Sequence, residues 1–400
     1  MDGWDMRIAH IVSCFAPAYE YGGQVRSVEM LCEGLAALGH HVEVFTTNAG
    51  RGRKTEVPLC CPVPRKGFWV WYFPLVRGHS FFYAPSLATD LLKRGREFDL
   101  LHCSGVWTYA NVACFRAGKR HGVPYVISPR GMLSPWPMAQ KRAKKSLYML
   151  LSERSHLRKA AAIHCTSAAE GRDVARHGLR RPVFVVPNPV DMEEMRALPQ
   201  RGKLREALGI PREAVVLLFL SRLHKKKGLP LTLRAFARLC SSGGERPVHF
   251  VIAGPAEDGY EYVVRNLVKE LNIADRVDYV GMLQGEARLQ AFADADLFVL
   301  NSFHENFGNV VAEAMACSLP VLISENVDLA ETVVRNGCGM VVPQSVEEIF
   351  QALRSLVVSE DRRRQMGERG RQIAFSLFGS RTVASEMARE YERLVTGGIG

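Results

Sequence analysis

Short apolar runs recur along this chain at intervals filled by helical segments, and this alternation constrains the fold more than any other feature. Residues 7–14 read as a buried strand. Residues 24–38 read as a helix with Val28, Leu31, Leu35 and Leu38 on one face, stopped by Gly39, and 42–46 resumes as a strand. Further strand-like runs lie at 98–102, 125–128, 161–165 and 183–186. The second half predicts strands at 215–220, 249–253, 277–280, 297–300, 321–323 and 340–342. Its helices fall at 229–240, 261–271, 286–293, 309–316 and 346–358, with a last one at 382–394. Strands alternating with helices build parallel sheets. The expectation is an α/β chain of two doubly wound domains facing each other across a cleft, with ligands at the carboxyl ends of the strands.

Proline and charge punctuate the rhythm. Pro187-Asn188-Pro189 and the charged stretch 191–205 mark a domain boundary. A first domain is expected over 1–195, a second over 196–378 and a terminal helical segment over 379–400. Residues 51–97 break the pattern with five prolines and an aromatic cluster from Phe68 to Phe73, and read as an irregular insertion, a hairpin-like flap.

A length of 400 residues with 47% hydrophobic content suits two domains. No apolar run reaches eighteen residues, so no spanning helix is expected. The first apolar run follows acidic residues with no basic region ahead of it, and reads as a strand, not a signal peptide. The ten cysteines include no CxxC pair, and the adjacent Cys60 and Cys61 lack metal-ligand spacing, so free thiols in a reducing cytosol are expected. The net charge of +11 lies wholly in residues 1–200, with 27 Lys+Arg against 16 Asp+Glu, whereas 201–400 balances 25 against 25. A single-sign field favours nucleic acid, acidic lipid or a phosphorylated substrate.

The segment 301–324 concentrates the chemistry. Glu305 and Glu313 stand eight residues apart, with Phe307-Gly308 between them where a helix should begin. A helix start offers amides without intrahelical acceptors, expected here at Gly308, Asn309 and Val310, and these attract phosphate. Gly308 lets the backbone approach a ligand closely. Carboxylates beside a diphosphate would repel it, so Glu305 is expected to accept from a sugar's hydroxyls and Glu313, one turn into the helix, from a ribose. Arg222 and Lys227 flank a short loop at the carboxyl end of the 215–220 strand, where a guanidinium fork and an ammonium can hold one diphosphate. A solvated basic turn is the plainer reading of that loop taken alone.

The block ExFGxxxxEAMAxxxPVxxS, running from Glu305 to Ser324, resembles the signature of the retaining glycosyltransferases of family 4, which have the GT-B fold of two Rossmann-like domains. The resemblance covers nearly the whole chain. Tyr21-Gly22-Gly23 with Leu35 and GHHVEVFTT is similar to the family's N-terminal motif. Pro187-Asn188-Pro189-Val190-Asp191 is similar to its PNGVD, with Pro in place of Gly. Ser221-Arg222-Leu223 with Lys227-Gly228 is similar to its GRL…KG, with Ser for the first Gly, and Ile252-Ala253-Gly254 and Val280-Gly281 also fit.

The resemblance implies roles. Arg222 and Lys227 would bind the diphosphate of a nucleotide-diphosphate-sugar donor, Glu305 the donor sugar and Glu313 the ribose. The amides after Phe307 would hold the distal phosphate, with Gly281 on the donor side. Gly22 and Gly23 would let an N-terminal loop approach that phosphate from the other domain. The last helix would cross back to pack on the first domain. Transfer would proceed with retention at one face, the departing phosphate taking the acceptor hydroxyl's proton, so that the enzyme positions reactants and stabilises charge without metal or cofactor.

The first domain departs from the family pattern. His102-Cys103-Ser104-Gly105 carries Ser104 where a second histidine is usual, and Arg130, in SPRGML, stands where another histidine is usual. Arg130 would contact a phosphate or the donor sugar. On the acceptor side, Ser104 is a candidate, and His102 either orients its loop or is a satisfied core histidine. A D-x-D string at Asp294–Asp296 precedes a strand at the end opposite the cleft, the wrong place for a ligand. Gly337-Cys338-Gly339 does not make a dinucleotide fingerprint, and neither HExxH nor a P-loop occurs.

Residues 139–159 set Leu147, Leu150, Leu151 and Leu157 against seven basic residues, and read as either a plain domain helix or a helix for an anionic membrane surface. The function expected is a cytoplasmic glycosyltransferase, peripheral on the inner face of the plasma membrane. It would move a sugar to a saccharide or lipid-linked saccharide in envelope or exopolysaccharide assembly. A nucleotide-sugar epimerase of the same architecture is the first alternative. A basic nucleic-acid-binding protein is the second, though no nucleic-acid motif supports it.

Overall fold

A computed structural model describes residues 5–77, 81–243, 246–257 and 259–397. The extreme ends of the expected outer segments and residues 78–80 of the expected insertion lie outside the described residues. The chain divides into two compact units, Met1–Val190 with Ser380–Gly400, and Asp191–Gly379.

The first unit is built on eight strands: β1 Arg7–Val12, β2 His41–Thr47, β3 Pro62–Arg65, β4 Phe68–Phe73, β5 Leu100–Ser104, β6 Tyr125–Ser128, β7 Ala162–Cys165 and β8 Val183–Val185. Their order is β3-β4-β2-β1-β5-β6-β7-β8, parallel throughout except for β3 against β4. Separate apolar cores cover the two faces of the sheet, as a parallel sheet requires. The chain winds outward from β1 in both directions, to β2 on one side and β5 on the other. A topological switch point therefore lies beyond the carboxyl ends of β1 and β5.

The 51–97 segment holds the expected hairpin, β3 paired antiparallel with β4, but it is not an irregular flap. Its aromatic run is β4, paired in parallel register with β2 and a full member of the sheet. Phe68, Val70 and Tyr72 are buried on one face, Trp69 and Trp71 are more open on the other, and Phe73 is buried at the strand's end. Arg94, in the helix Pro85–Arg94, fastens the region by pairing with Glu43 of β2 at 2.7 Å, and Trp71 Nε1 donates to the same carboxylate.

The last helix, Ser380–Val395, packs on the helix Gly23–Ala37 within this unit. Gly34 permits the contact, since a Cβ there would lie 2.7 Å from Ala384 Cβ. Tyr391, fully buried, hydrogen-bonds through its hydroxyl to His102 Nδ1.

The second unit has six parallel strands: β9 Val215–Leu220, β10 Val248–Ala253, β11 Val277–Gly281, β12 Leu297–Leu300, β13 Val321–Ser324 and β14 Gly339–Val342. Their order is β11-β10-β9-β12-β13-β14, so the switch point lies beyond β9 and β12. The unit begins at Asp191, ahead of the boundary expected at 195/196. Met195 is buried in it, with its sulfur 3.1 Å from Cys317 Sγ.

Helices that went unread in the sequence include Ala330–Asn336 and Glu360–Leu377. The longer one contains Gly367 and Gly370, which look like breakers. Gly367 serves close approach instead, since a Cβ there would lie 1.9 Å from the Ser318 carbonyl oxygen, whereas one on Gly370 would make ordinary contact with Met315 at 3.5 Å.

Candidate active site

The loops leaving β9 and β12 are stitched together at the switch point of the second unit. Phe303 N–H donates to Lys226 O at 2.7 Å. Gly228, at φ 66°, lies so close to Asn301 that a Cβ would stand 2.0 Å from its carbonyl oxygen. Across this seam the Lys227 ammonium pairs with the Glu305 carboxylate. Beside it, Arg222 Nη1 meets Glu257 Oε1, from the loop after β10, at 2.5 Å.

The strand ends beneath are equally tight. Gly254 N–H donates to Gly281 O at 2.7 Å, and a Cβ on Gly254 would meet the Ser221 carbonyl oxygen at 2.0 Å. Gly281 itself has open space around it and is required for its φ of 71°.

Burial alone would push the Glu305 carboxyl up, but Lys227 and Lys226 outweigh it and hold the group below the usual carboxylate range. Lys226 is pushed down by burial, with Glu305 opposing. The cluster thus offers three cations, Arg222, Lys226 and Lys227, beside two carboxylates, Glu257 and Glu305. That composition suits a ligand with both phosphates and hydroxyls.

The helix Asn309–Ala316 opens on the same edge. Phe307 and Gly308 both have positive φ, 62° and 84°, an uncommon pairing that concentrates strain at the loop. The Phe307 ring turns inward and packs edge-on against Phe378 at 5.3 Å, so only its backbone faces the loop. The Gly308 amide, expected to await a ligand, donates instead to Asn306 O at 2.8 Å, because the double left-handed turn folds it back. Asn309 and Val310 occupy the first helical turn, where amides have no intrahelical acceptor. Glu313, one turn on, pairs with Arg288 Nη1 at 2.8 Å. Buried Arg288 also meets Glu194 at 2.5 Å, and these two carboxylates overcome its burial and raise its pKa.

In the first unit, Gly22 and Gly23 begin the helix Gly23–Ala37, with Gly22 at φ 100°. Ser104 ends β5, and Arg130 follows β6 at φ 55°. The Arg130 guanidinium donates to Asn188 Oδ1 at 2.5 Å and to Ser104 Oγ at 3.3 Å, so Arg130 and Ser104 form one group at the carboxyl edge. His102 does not join them at the surface. It is fully buried inside β5, its ring 4.7 Å from His10 and 5.3 Å from His164, and burial followed by these neighbours drives its pKa well down. The structure gives it the core alternative.

Asp294 and Asp296 are structural. Asp294 accepts from Gly202 N–H and from Leu204 N–H at the start of the helix Lys203–Ala207, and Asp296 pairs with Arg201 and Arg205 at 2.5 Å each. Among the described residues, no group of three or more His, Cys, Asp or Glu is disposed to hold a metal ion. No helix among them is long and apolar enough to cross a membrane.

Sequence reasoning missed Lys226, Glu257, Arg288 and Asn188. Position after a strand end would have pointed to Glu257, and the Pro187-Asn188-Pro189 motif to Asn188. Arg288 has no motif, and only the fold brings it to Glu313.

Two doubly wound units with a charged switch point suit an enzyme that handles anionic, hydroxyl-bearing ligands. Residues 200–373 match the description "Glycosyl transferases group 1" and residues 22–189 match "Glycosyl transferase 4-like domain". The chain belongs to the group 1 glycosyltransferases and is an enzyme of the hexosyltransferase class. A D-inositol 3-phosphate glycosyltransferase of Thermomonospora curvata is 30% identical over 374 residues, 86% of this chain and 84% of its own. D-inositol 3-phosphate glycosyltransferase 2 of Catenulispora acidiphila is 28% identical over 94% of this chain and 90% of its own. The fold is GT-B. Sucrose-phosphate synthase of Thermosynechococcus elongatus superposes with a TM-score of 0.77 at 21% identity, covering 98% of this chain and all of its own. Anabaena HepE in complex with UDP-glucose superposes with a TM-score of 0.74 at 21% identity, covering 97% and 99%.

Proposed function

We propose that this glycosyltransferase takes a sugar from a nucleotide-diphosphate donor and transfers it, with retention, to a saccharide or lipid-linked saccharide in envelope or exopolysaccharide assembly. The observation that carries the reading is the Lys227–Glu305 pair at the switch point, with Arg222 beside it. HepE, of the same fold, binds UDP-glucose, which supports a donor of that chemistry.

In this reading Arg222 and Lys227 hold the diphosphate, with the amides of Asn309 and Val310 and the backbone of Phe307 and Gly308 at the distal phosphate. Glu305 accepts from the donor sugar, Glu313 from the ribose, and Gly281 lines the donor side. Gly22 and Gly23 serve the distal phosphate, and Ser104 serves the acceptor side. The bond from the anomeric carbon to phosphate oxygen breaks while the bond to the acceptor oxygen forms on the same face. The acceptor's proton passes to the departing phosphate. Preorganised cations stabilise the charge that develops there.

A binding screen of nucleotide diphosphate sugars tests this, with Arg222→Ala as control. One donor should bind, and the substitution should weaken it at least about tenfold, as expected for loss of a charge-assisted contact. Unaltered binding in Arg222→Ala would remove that residue from the site. Incubation with donor alone separates transfer from epimerisation, since an epimer formed without acceptor would favour the second chemistry.

The same proposal includes attachment to an anionic membrane. Leu147, Leu150 and Leu151 are 57%, 72% and 73% exposed, among the basic residues of 139–159. Such a surface combines apolar insertion with attraction to acidic headgroups.

A further inference from the structure

Arg130 carries a charge that its own unit does not match. It sits in a turn closed by Met132 N–H to Pro129 O at 3.1 Å, with Arg130 and Gly131 at φ 55° and 72°. Positive φ is uncommon for arginine and persists where the surroundings enforce it. Here Asn188 and Ser104 grip the two terminal nitrogens, and both are neutral. The Nε atom is buried and has no hydrogen-bond partner among the described residues. Among those residues, no carboxylate lies within ion-pair distance of the guanidinium.

The nearest acid, Glu170, is committed elsewhere. Its oxygens receive Gly131 N–H at 2.6 Å, Thr166 N–H at 2.7 Å and the Thr166 hydroxyl at 2.9 Å, and burial raises its pKa. The other groups facing Arg130 are His10, His102, His164, Tyr391 and Cys32, all kept neutral by burial. Two buried arginines of the second unit are matched by carboxylates, Arg205 by Asp296 and Arg288 by Glu194 and Glu313, and a third, Arg363, donates to the carbonyls of Leu356 and Val357. A half-buried guanidinium stays charged, and leaving it unpaired is costly. A ligand that brings its own negative charge removes that cost.

We propose that Arg130, held by Ser104 and Asn188, receives an oxyanion, phosphate or carboxylate, carried by the acceptor. That the anion belongs to the acceptor rests on the donor reading above, in which the cations of the second unit already face the donor's phosphates. That Arg130 binds an oxyanion does not depend on it.

The test uses the full chain saturated with UDP, titrated with inorganic phosphate and, separately, with glucuronate, and followed by nitrogen-15 NMR of arginine Nε–H groups. One arginine signal, absent from Arg130→Lys, should shift saturably with at least one probe, and the effective probe names the oxyanion. Arg130→Gln should bind that probe at least about tenfold more weakly with UDP affinity unchanged. No saturable shift with either probe overturns the proposal, and so does equal binding in Arg130→Gln. A matching fall in UDP affinity in a variant that keeps the wild-type melting temperature would assign Arg130 to the donor and overturn it as well. If Arg130→Gln fails to fold, the wild-type titration decides alone. Failure of UDP itself to bind would count against the donor reading instead.

Discussion

Lys227 and Glu305 form an ion pair between the loop that leaves β9 and the loop that leaves β12. Each neutralises the other, and Arg222 is likewise held by Glu257. In the proposed donor reading, a diphosphate would draw both cations away from their carboxylates, and those carboxylates would then stand beside the ligand, where sugar hydroxyls could satisfy them. The pairing keeps the buried charges compensated.

The two substitutions of Glu305 should therefore differ. Lys227 is only 7% exposed, so Glu305→Ala strands a buried cation and should cost about 3–5 kcal/mol of stability as well as turnover. Glu305→Gln keeps the shape and a hydrogen-bond acceptor. It should melt closer to wild type while kcat falls by about 10²–10³-fold, the usual effect of losing one oriented electrostatic contact. Steady-state kinetics with melting curves checks both, and near-wild-type kcat in the Gln variant would take Glu305 out of the reaction.

The buried histidines of the first unit set its acid sensitivity. Burial, then Arg130, pushes His10 and His164 down to about 3, against about 6.5 in an unfolded chain. The unfolded state binds protons first, so stability is complete above about pH 6.5 and drains away as pH falls toward 3, by about 1.4 kcal/mol per pH unit for each histidine. Glu153 acts in the opposite sense. Burial raises it to about 7, so the fold gains on this group as pH falls from 7 to about 4.3, offsetting one histidine. Urea midpoints between pH 4 and 7 should decline with acid, less steeply in His164→Gln. Identical slopes for the two proteins would contradict the burial argument.

Two helical glycines should respond to alanine with opposite signs. Gly171, in the helix Ala168–Ala175, has its nearest neighbour 3.9 Å from a built Cβ, so Gly171→Ala should stabilise by up to about 1 kcal/mol. Gly367→Ala would drive a methyl against the Ser318 carbonyl and should destabilise by about 1–3 kcal/mol. Thermal melts of the two variants make the comparison, and a stabilised Gly367→Ala would mean that the close approach relaxes freely.

Liposome flotation tests the exposed leucines. Wild type should float with anionic vesicles and lose that association as salt rises, whereas Leu150→Ser with Leu151→Ser should remain in the soluble fraction at low salt. Equal flotation of the two proteins would leave the leucines without this role.

Most strands were legible where four to six apolar residues stood between turn signals, as with β6, β9 and β12, but β4 was not, because the prolines around Phe68–Phe73 read as an irregular insertion. The helix Glu360–Leu377 escaped because its polar composition and two glycines hide a packing face that only Ser318 and Met315 explain. The cluster at the second switch point was partly visible, since Glu305, Phe307-Gly308 and Glu313 share one short segment. Their partners were not, because Arg288 and Glu257 come from other elements. The histidine cluster was beyond reach for the same reason: His10 and His102 are register partners on β1 and β5, far apart along the chain.

The first unit is assembled from both ends of the chain, with Ser380–Gly400 joining Met1–Val190. During synthesis, the surface of the helix Gly23–Ala37 around Gly34 and the Nδ1 atom of His102, which meets Tyr391, must wait for the helix Ser380–Val395 to emerge. The second unit, one continuous stretch, has no such delay. The part of the protein made first is thus the part completed last, and a ribosome that stalls before Ser380 leaves behind a folded second unit and an uncovered first one.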